Sequence, residues 1–172
     1  PVAFLTAIQI RKVTYTGSIG PIAASIVNRS DISQFDLSSL RMTFTLTNAD
    51  GLEESTGIPS QLTYGITEGL LMASSPNAPA ETRHRTVGWP IGVGDEAKLL
   101  EPGSERAVQP GHVGELCFRG PHTFNGYYDA PSLTAESFTS DGFFRSSDLV
   151  REVPVQGRSH YVFEGRLSNN IN

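Results

Sequence analysis

The chain has 172 residues, enough for one ordinary domain or two small ones with a true core. With 38% hydrophobic and 18% charged residues, it is neither disordered nor a series of membrane spans. A net charge of −5 argues against a nucleic-acid surface, and the single cysteine, Cys117, excludes an internal disulfide and fits a reducing, cytoplasmic setting.

In chain order, PVAFLTAIQI (1–10) is the longest apolar run, and it is too short to cross a bilayer. No initiator Met and no basic-then-apolar leader begins the chain, so Pro1 is expected to be a cut or processed end. KVTYTG (12–17) reads as a strand from its β-branched and aromatic content. Pro21 suits a first helical turn and opens a helix over PIAASIVN (21–28). RMTFTL (41–46) alternates polar and apolar residues as a strand does. Leu52–Thr56 reads as a short helix ended by Gly57, and QLTY (61–64) as a strand that breaks at Gly65. Strand, helix, strand, helix, strand implies a βαβ segment of a parallel sheet.

The character changes near Ala78–Arg85, a loop rich in proline and charge. GWPIGVG (88–94) reads as a turn between subdomains. Short strands follow at EAKLL (96–100), ELCFRG (115–120), GFFRSSDLV (142–150) and HYVFEG (160–165), with one short helix over 131–138. EPGS, QPGH and SDG between them are turn chemistry. This half is expected to form a small antiparallel sheet or distorted β-barrel.

Several chemistries find no support. There is no GxxxxGK[ST] phosphate loop and no GxSxG nucleophile elbow. His84, His112, His122 and His160 are scattered singly and read as surface residues rather than convergent metal ligands. Cys117 alternates within a strand and reads as a buried small apolar residue. Thr67–Glu68 alone is more simply a cap or loop contact, and Asp148 alone a turn residue. Together with Tyr64 and Arg166 they supply what a nucleotide site requires. That is a ring for the base, a hydroxyl for phosphate oxygens, a carboxylate for Mg²⁺ and an acid for ribose hydroxyls.

The order of these motifs resembles the adenylate-forming superfamily, which includes acyl-CoA synthetases, peptide-synthetase adenylation domains and aryl-acid AMP ligases. YGITEG (64–69) resembles its YGxTE motif, and GELCFRG (114–120) with NGYY (125–128) resembles its GELxxxG…GY segment. GFFRSSDLV (142–150) resembles its G-[WF]-[FY]-R-T-G-D-[LI] motif, and FEGRLSNNIN (163–172) the sequence leading into its hinge. VTYTGSIGPIAASIVN (13–28) and FDLSSLR (35–41) fit the same order. Across 119–150 the likeness is to the 2,3-dihydroxybenzoate–AMP ligase-like aryl-acid adenylating enzymes.

The resemblance implies an α/β fold, part of the large domain of such an enzyme. Residues 1–85 would form the sheet subdomain, 86–165 the barrel-like one, and 166–172 the start of a hinge to a C-terminal domain. It implies that Tyr64 stacks on adenine beside Gly65, Thr67 contacts the α-phosphate and Glu68 ligates Mg²⁺. Asp148 would bind the ribose hydroxyls, and Arg166 ribose and phosphate. The implied reaction activates a carboxylic acid with ATP, releases pyrophosphate, and passes the acyl group to CoA or to phosphopantetheine on an aryl carrier protein. A role in siderophore or secondary-metabolite biosynthesis follows from the same likeness.

The departures are specific. TLTNADGLEESTG (45–57) is short and places Asn48 and Asp50 where the family has small residues lining the acid pocket. Ser147 replaces a glycine before Asp148, and Ser168 an Asp or Lys of the hinge. The family's upstream phosphate loop and downstream catalytic lysine are not in this chain, so alone it is expected not to turn over. A degenerate, non-catalytic module for nucleotide or protein binding is the rival reading. A chain completed by a second polypeptide, or one that self-associates, is a third.

Overall fold

An apolar segment whose large residues circle the axis, rather than striping one side, forms the first helix, Val2–Arg11 (α1). β-branched and aromatic segments then give Tyr15–Gly17 (β1), Met42–Thr45 (β2) and Ser60–Ile66 (β3). These run parallel, with Tyr15 opposite Met42 and Thr43 opposite Ser60. The crossovers carry Pro21–Val27 (α2), with proline in its first turn, and Ala49–Thr56 (α3). Gly57 closes α3 in the left-handed conformation, φ 68°, its N–H on the Glu53 carbonyl. The computed structural model describes residues 2–167; Pro1 and the expected hinge positions from Ser168 onward lie outside the described residues. No helix among the described residues is long and apolar enough to cross a membrane.

The chain divides into two compact units. One holds the residues up to Thr63 with Ser74–Val87, the other Tyr64–Ala73 with the chain from Gly88 onward. The first unit holds β1, α2, β2, α3 and the start of β3, in the expected βαβ order. Its core gathers Leu5, Ile8, Ile26, Leu37, Leu40 and Leu52, each at most 8% exposed. Taking one such side chain wholly out of water contributes about 1.5–3 kcal/mol.

The 78–85 segment departs from the expected loop. Ala80–Arg85 is a helix (α4), and Arg83 within it is buried. Arg83 donates from Nη1 to Glu53 Oε2 at 2.7 Å, from Nη2 to Glu53 Oε1 at 3.1 Å and from Nε to the Ala78 carbonyl at 3.1 Å. Its Nη1 also meets the Ser60 carbonyl. Glu53 Oε2 accepts in addition from Ser60 N and from His84 Nε2, both at 2.8 Å. The guanidinium holds the Glu53 carboxyl down at about 2. Charge that reads as solvated in one dimension therefore ties α3, α4 and the start of β3 together.

In the second unit, Leu70–Ala73 (β4) pairs antiparallel with Trp89–Pro90 (β5), so the 88–94 turn begins with a two-residue strand. Glu96–Leu100 (β6), Val113–Arg119 (β7), Phe144–Val155 (β8) and Arg158–Arg166 (β9) form a four-stranded antiparallel sheet in that order. Register shifts at Glu115/Cys117 and Leu149/Val150 bend it. Cys117 is fully buried, as expected of a small apolar residue, although Gly114–Phe118 are all buried and do not alternate; burial pushes its thiol up to about 12. His160 is not a surface residue: it is 3% exposed and lies against the Trp89 ring, 5.0 Å between centroids. Burial, then the nearby Arg158, lowers its pKa below the usual imidazole value.

Candidate functional site

β3 does not stop at Gly65. It runs on through Ile66, and the side chain of Leu71 lies beside the glycine, so a Cβ there would lie 3.3 Å from Leu71 Cδ1. The turn Thr67–Gly69 then leads into β4, closed by Gly69 N donating to the Ile66 carbonyl at 3.0 Å. Tyr64, on the last stretch of β3, is buried, while Gly65 and Thr67 are exposed.

Asp148 arrives from β8 by period-two alternation. Phe144, Ser146, Asp148 and Val150 all face inward, which places a carboxylate on the buried side of a strand. Its side chain is 4% exposed. Tyr64 Oη donates to Asp148 Oδ2 at 2.7 Å, and Arg166 Nε donates to Oδ1 at 2.5 Å. Ser146 Oγ steadies the strand by donating to the Leu116 carbonyl at 2.7 Å and accepting from Asp148 N at 3.1 Å. Burial, then the neighbouring carboxylate, push the Tyr64 hydroxyl well above its ordinary value, so it stays a donor. The Asp148 bond and charge raise the pKa of Arg166, and Glu68 adds to that effect.

Glu68 is half-buried. Its Oε2 accepts from Thr67 Oγ1 at 2.9 Å and its Oε1 from Tyr127 Oη at 3.0 Å. Burial, then Glu68, raise the Tyr127 pKa above the ordinary tyrosine value. Tyr127 escapes sequence reasoning because the contact joins residues far apart in the chain; the NGYY motif gave its position but no role. Among the described residues no three His, Cys, Asp or Glu side chains cluster as a metal cage. The single carboxylate of Glu68 fits Mg²⁺, which is commonly bound through one or two protein carboxylates while phosphates and water fill its other positions.

An open cleft of about 520 Å³ adjoins this turn, lined by Gly65, Thr67, Leu71, Ile91, Asp95 and His122 among others. Its walls are apolar and glycine-rich, with the buried Asp95 carboxylate 3.4 Å from His122 Nδ1 at one side. All six predicted site residues, Tyr64, Gly65, Thr67, Glu68, Asp148 and Arg166, belong to the second unit. Ser147, where a glycine was expected, sits in the left-handed region with φ 60° and its side chain exposed. In the first unit Asn48 is also left-handed, φ 55°, at the start of α3.

Residues 1–128 match the AMP-binding enzyme family. The chain is 34% identical over 171 residues to the 2,3-dihydroxybenzoate-AMP ligase of Bacillus subtilis strain 168, covering 96% of this chain and 31% of that protein. It is 32% identical over 177 residues to the salicyl-AMP ligase / salicyl-S-ArCP synthetase of Mycobacterium tuberculosis, covering 99% of this chain and 31% of that one. Among solved structures, apo MbtA of Mycobacterium smegmatis superposes with a TM-score of 0.81 at 29% identity, over 96% of this chain and 31% of the other. The chain spans just under a third of the length of these relatives.

Proposed function

Because the chain belongs to the AMP-binding enzyme family, we propose that it is part of an ATP-dependent ligase that activates an aryl carboxylic acid as its acyl-adenylate. In this reading a carboxylate oxygen of the acid attacks the α-phosphorus of ATP. The bond to the bridging oxygen breaks, pyrophosphate leaves, and a mixed anhydride with AMP remains. A thiol of CoA or carrier-bound phosphopantetheine then attacks the carbonyl carbon, loses its proton and expels AMP. The enzyme works in the cytoplasm.

One observation carries the reading: a buried carboxylate, Asp148, held between the Tyr64 hydroxyl and the Arg166 guanidinium. Each carboxylate oxygen keeps a second lone pair, and these would accept the two ribose hydroxyls. Arg166, about half exposed, would turn its remaining N–H groups toward phosphate. Tyr64 and the Gly65 backbone would face the adenine, and Thr67 Oγ1 would donate to an α-phosphate oxygen. Glu68 would hold Mg²⁺, which when bound neutralises phosphate charge. The apolar cleft beside Thr67 suits a flat aromatic acid. What these residues contribute is position and charge compensation, the terms that dominate such chemistry.

A second reading, a nucleotide-binding module without catalysis, is favoured by Ser147, a non-glycine residue strained into φ 60° directly before Asp148. ATP–pyrophosphate exchange with benzoate-type acids, run on the complete polypeptide, separates the two. Ligase activity predicts exchange that drops at least about a hundredfold in Glu68→Gln and in Asp148→Ala. AMP binding by calorimetry without exchange would leave the module, and unchanged exchange in both variants would remove the site assignment.

A further inference from the structure

We propose that Tyr127 is a positioning residue that fixes the Glu68 carboxylate for the metal–nucleotide complex. The inference rests on Glu68 as the metal-holding acid. A glutamate on a turn has three rotatable bonds, and nothing local to the turn sets its carboxylate plane except Thr67, which moves with it. Tyr127 reaches in from a different segment and donates to Glu68 Oε1 at 3.0 Å.

That segment is itself fastened to the turn. Phe124 N donates to the Glu68 carbonyl at 2.9 Å. Gly69, at φ 123°, lies so close to the same segment that a Cβ would sit 2.0 Å from the His122 carbonyl oxygen. Tyr127 is anchored in turn from behind. Its N–H donates to Thr134 Oγ1 at 2.9 Å, on the helix Pro131–Glu136 (α5), and Thr134 Oγ1 donates to the Ala130 carbonyl at 2.9 Å. Phe124 packs edge-on against Tyr127, 4.9 Å between centroids, and against Phe144 at 5.1 Å.

The choice of a phenol has a chemical reason. An arginine or lysine would hold the carboxylate equally well, but its positive charge would oppose a cation on the same acid. A neutral hydroxyl occupies one lone pair of Oε1 and leaves the negative charge intact. Outer partners of this kind orient metal-binding ligands, and losing one typically weakens metal affinity about tenfold or more.

The test uses the complete polypeptide with Mn²⁺ as the probe, its binding followed by electron paramagnetic resonance in the presence of a non-hydrolysable ATP analogue. Tyr127→Phe should weaken Mn²⁺ binding about tenfold and leave metal-free AMP affinity at the wild-type value. Thr134→Val, which releases the Tyr127 backbone, should weaken Mn²⁺ binding in the same direction, and Thr134→Ser should restore it. If Tyr127→Phe does not fold, the Thr134 pair decides. Wild-type Mn²⁺ affinity in both Tyr127→Phe and Thr134→Val would overturn the proposal. Glu68→Gln separates the failures. Loss of Mn²⁺ binding there, with none in either Tyr127→Phe or Thr134→Val, sinks the positioning role alone, whereas wild-type binding in Glu68→Gln sinks the assignment of Glu68 as well.

Discussion

Arg166 stands directly opposite Asp148 across β8 and β9, and its Nε donates to Asp148 Oδ1 at 2.5 Å. The pair is asymmetric: the anion is 4% exposed and the cation 49%. Removing the cation therefore strands a buried charge, while removing the anion returns a guanidinium to water. Arg166→Met should cost about 2 kcal/mol, below the range for a fully enclosed pair because water can enter where the side chain was. Arg166→Lys should recover only part of this, since a point charge lacks the planar fork. Urea unfolding of the three proteins measures both effects, and AMP affinity should fall in the same order.

Tyr64 supplies the other bond to Asp148, and its two possible uses can be separated. Tyr64→Phe removes the hydroxyl and keeps the ring. A hydrogen bond to a charged group contributes about 1.5–3 kcal/mol, so stability should fall by that order. If the ring meets adenine, AMP affinity in Tyr64→Phe should stay well above that in Asp148→Ala. Equal losses in the two variants, read by calorimetry, would assign Tyr64 to supporting Asp148 alone.

Ser147 is held at φ 60°, where a side chain costs about 1–2 kcal/mol and glycine pays no steric penalty. Glycine gives back roughly 0.5–1 kcal/mol through the freedom of the unfolded chain. Ser147→Gly should therefore stabilise the protein by about 0.5–1 kcal/mol and raise Tm by roughly 2 °C. The Ser147 side chain is exposed, so no packing loss offsets the gain. An unchanged or lowered Tm in calorimetry would count against strain at this position.

Much of this was legible in the sequence, and the misses share a cause. Alternation marked β2, β-branched and aromatic content marked β1, and short runs bounded by turn signals marked β3, β6, β7, β8 and β9, because each of these patterns is local. α1 gave no such pattern, since Leu5 and Ile8 are buried while Val2 and Ile10 on the same short helix are exposed. β4 has only four residues after a turn, too few for a period to register. α4 reads as charged loop because burial of Arg83 depends on Glu53, thirty residues earlier. His84 reads as surface for the same reason, and so does the buried His160. The candidate site residues were found through ordered motifs rather than periodicity, and the NGYY motif that contains Tyr127 says nothing of its partner, which lies 59 positions away.

The Glu53–Arg83 network makes a pH prediction whose sign is fixed. Arg83, first of all, holds the Glu53 carboxyl at about 2, below the unfolded value of 4.5. A depressed carboxyl pKa stabilises the fold above the unfolded pKa and loses that contribution as pH falls toward the folded one. The window is therefore about pH 4.5 down to 2. Glu53→Gln keeps the shape but leaves the buried guanidinium without its counter-charge, at a cost of about 3 kcal/mol near neutrality. Arg83 would still meet the Ser60 and Ala78 carbonyls, which is why the loss stays at the lower end of the range for breaking a buried pair. Below pH 4.5 the wild-type protein approaches the variant as its own Glu53 takes up a proton, and other carboxyls titrate alike in both. Urea unfolding of the two proteins at pH 7, 4.5 and 3 measures the difference at each pH. A gap that stays constant across that range would place the stabilising charge somewhere other than Glu53.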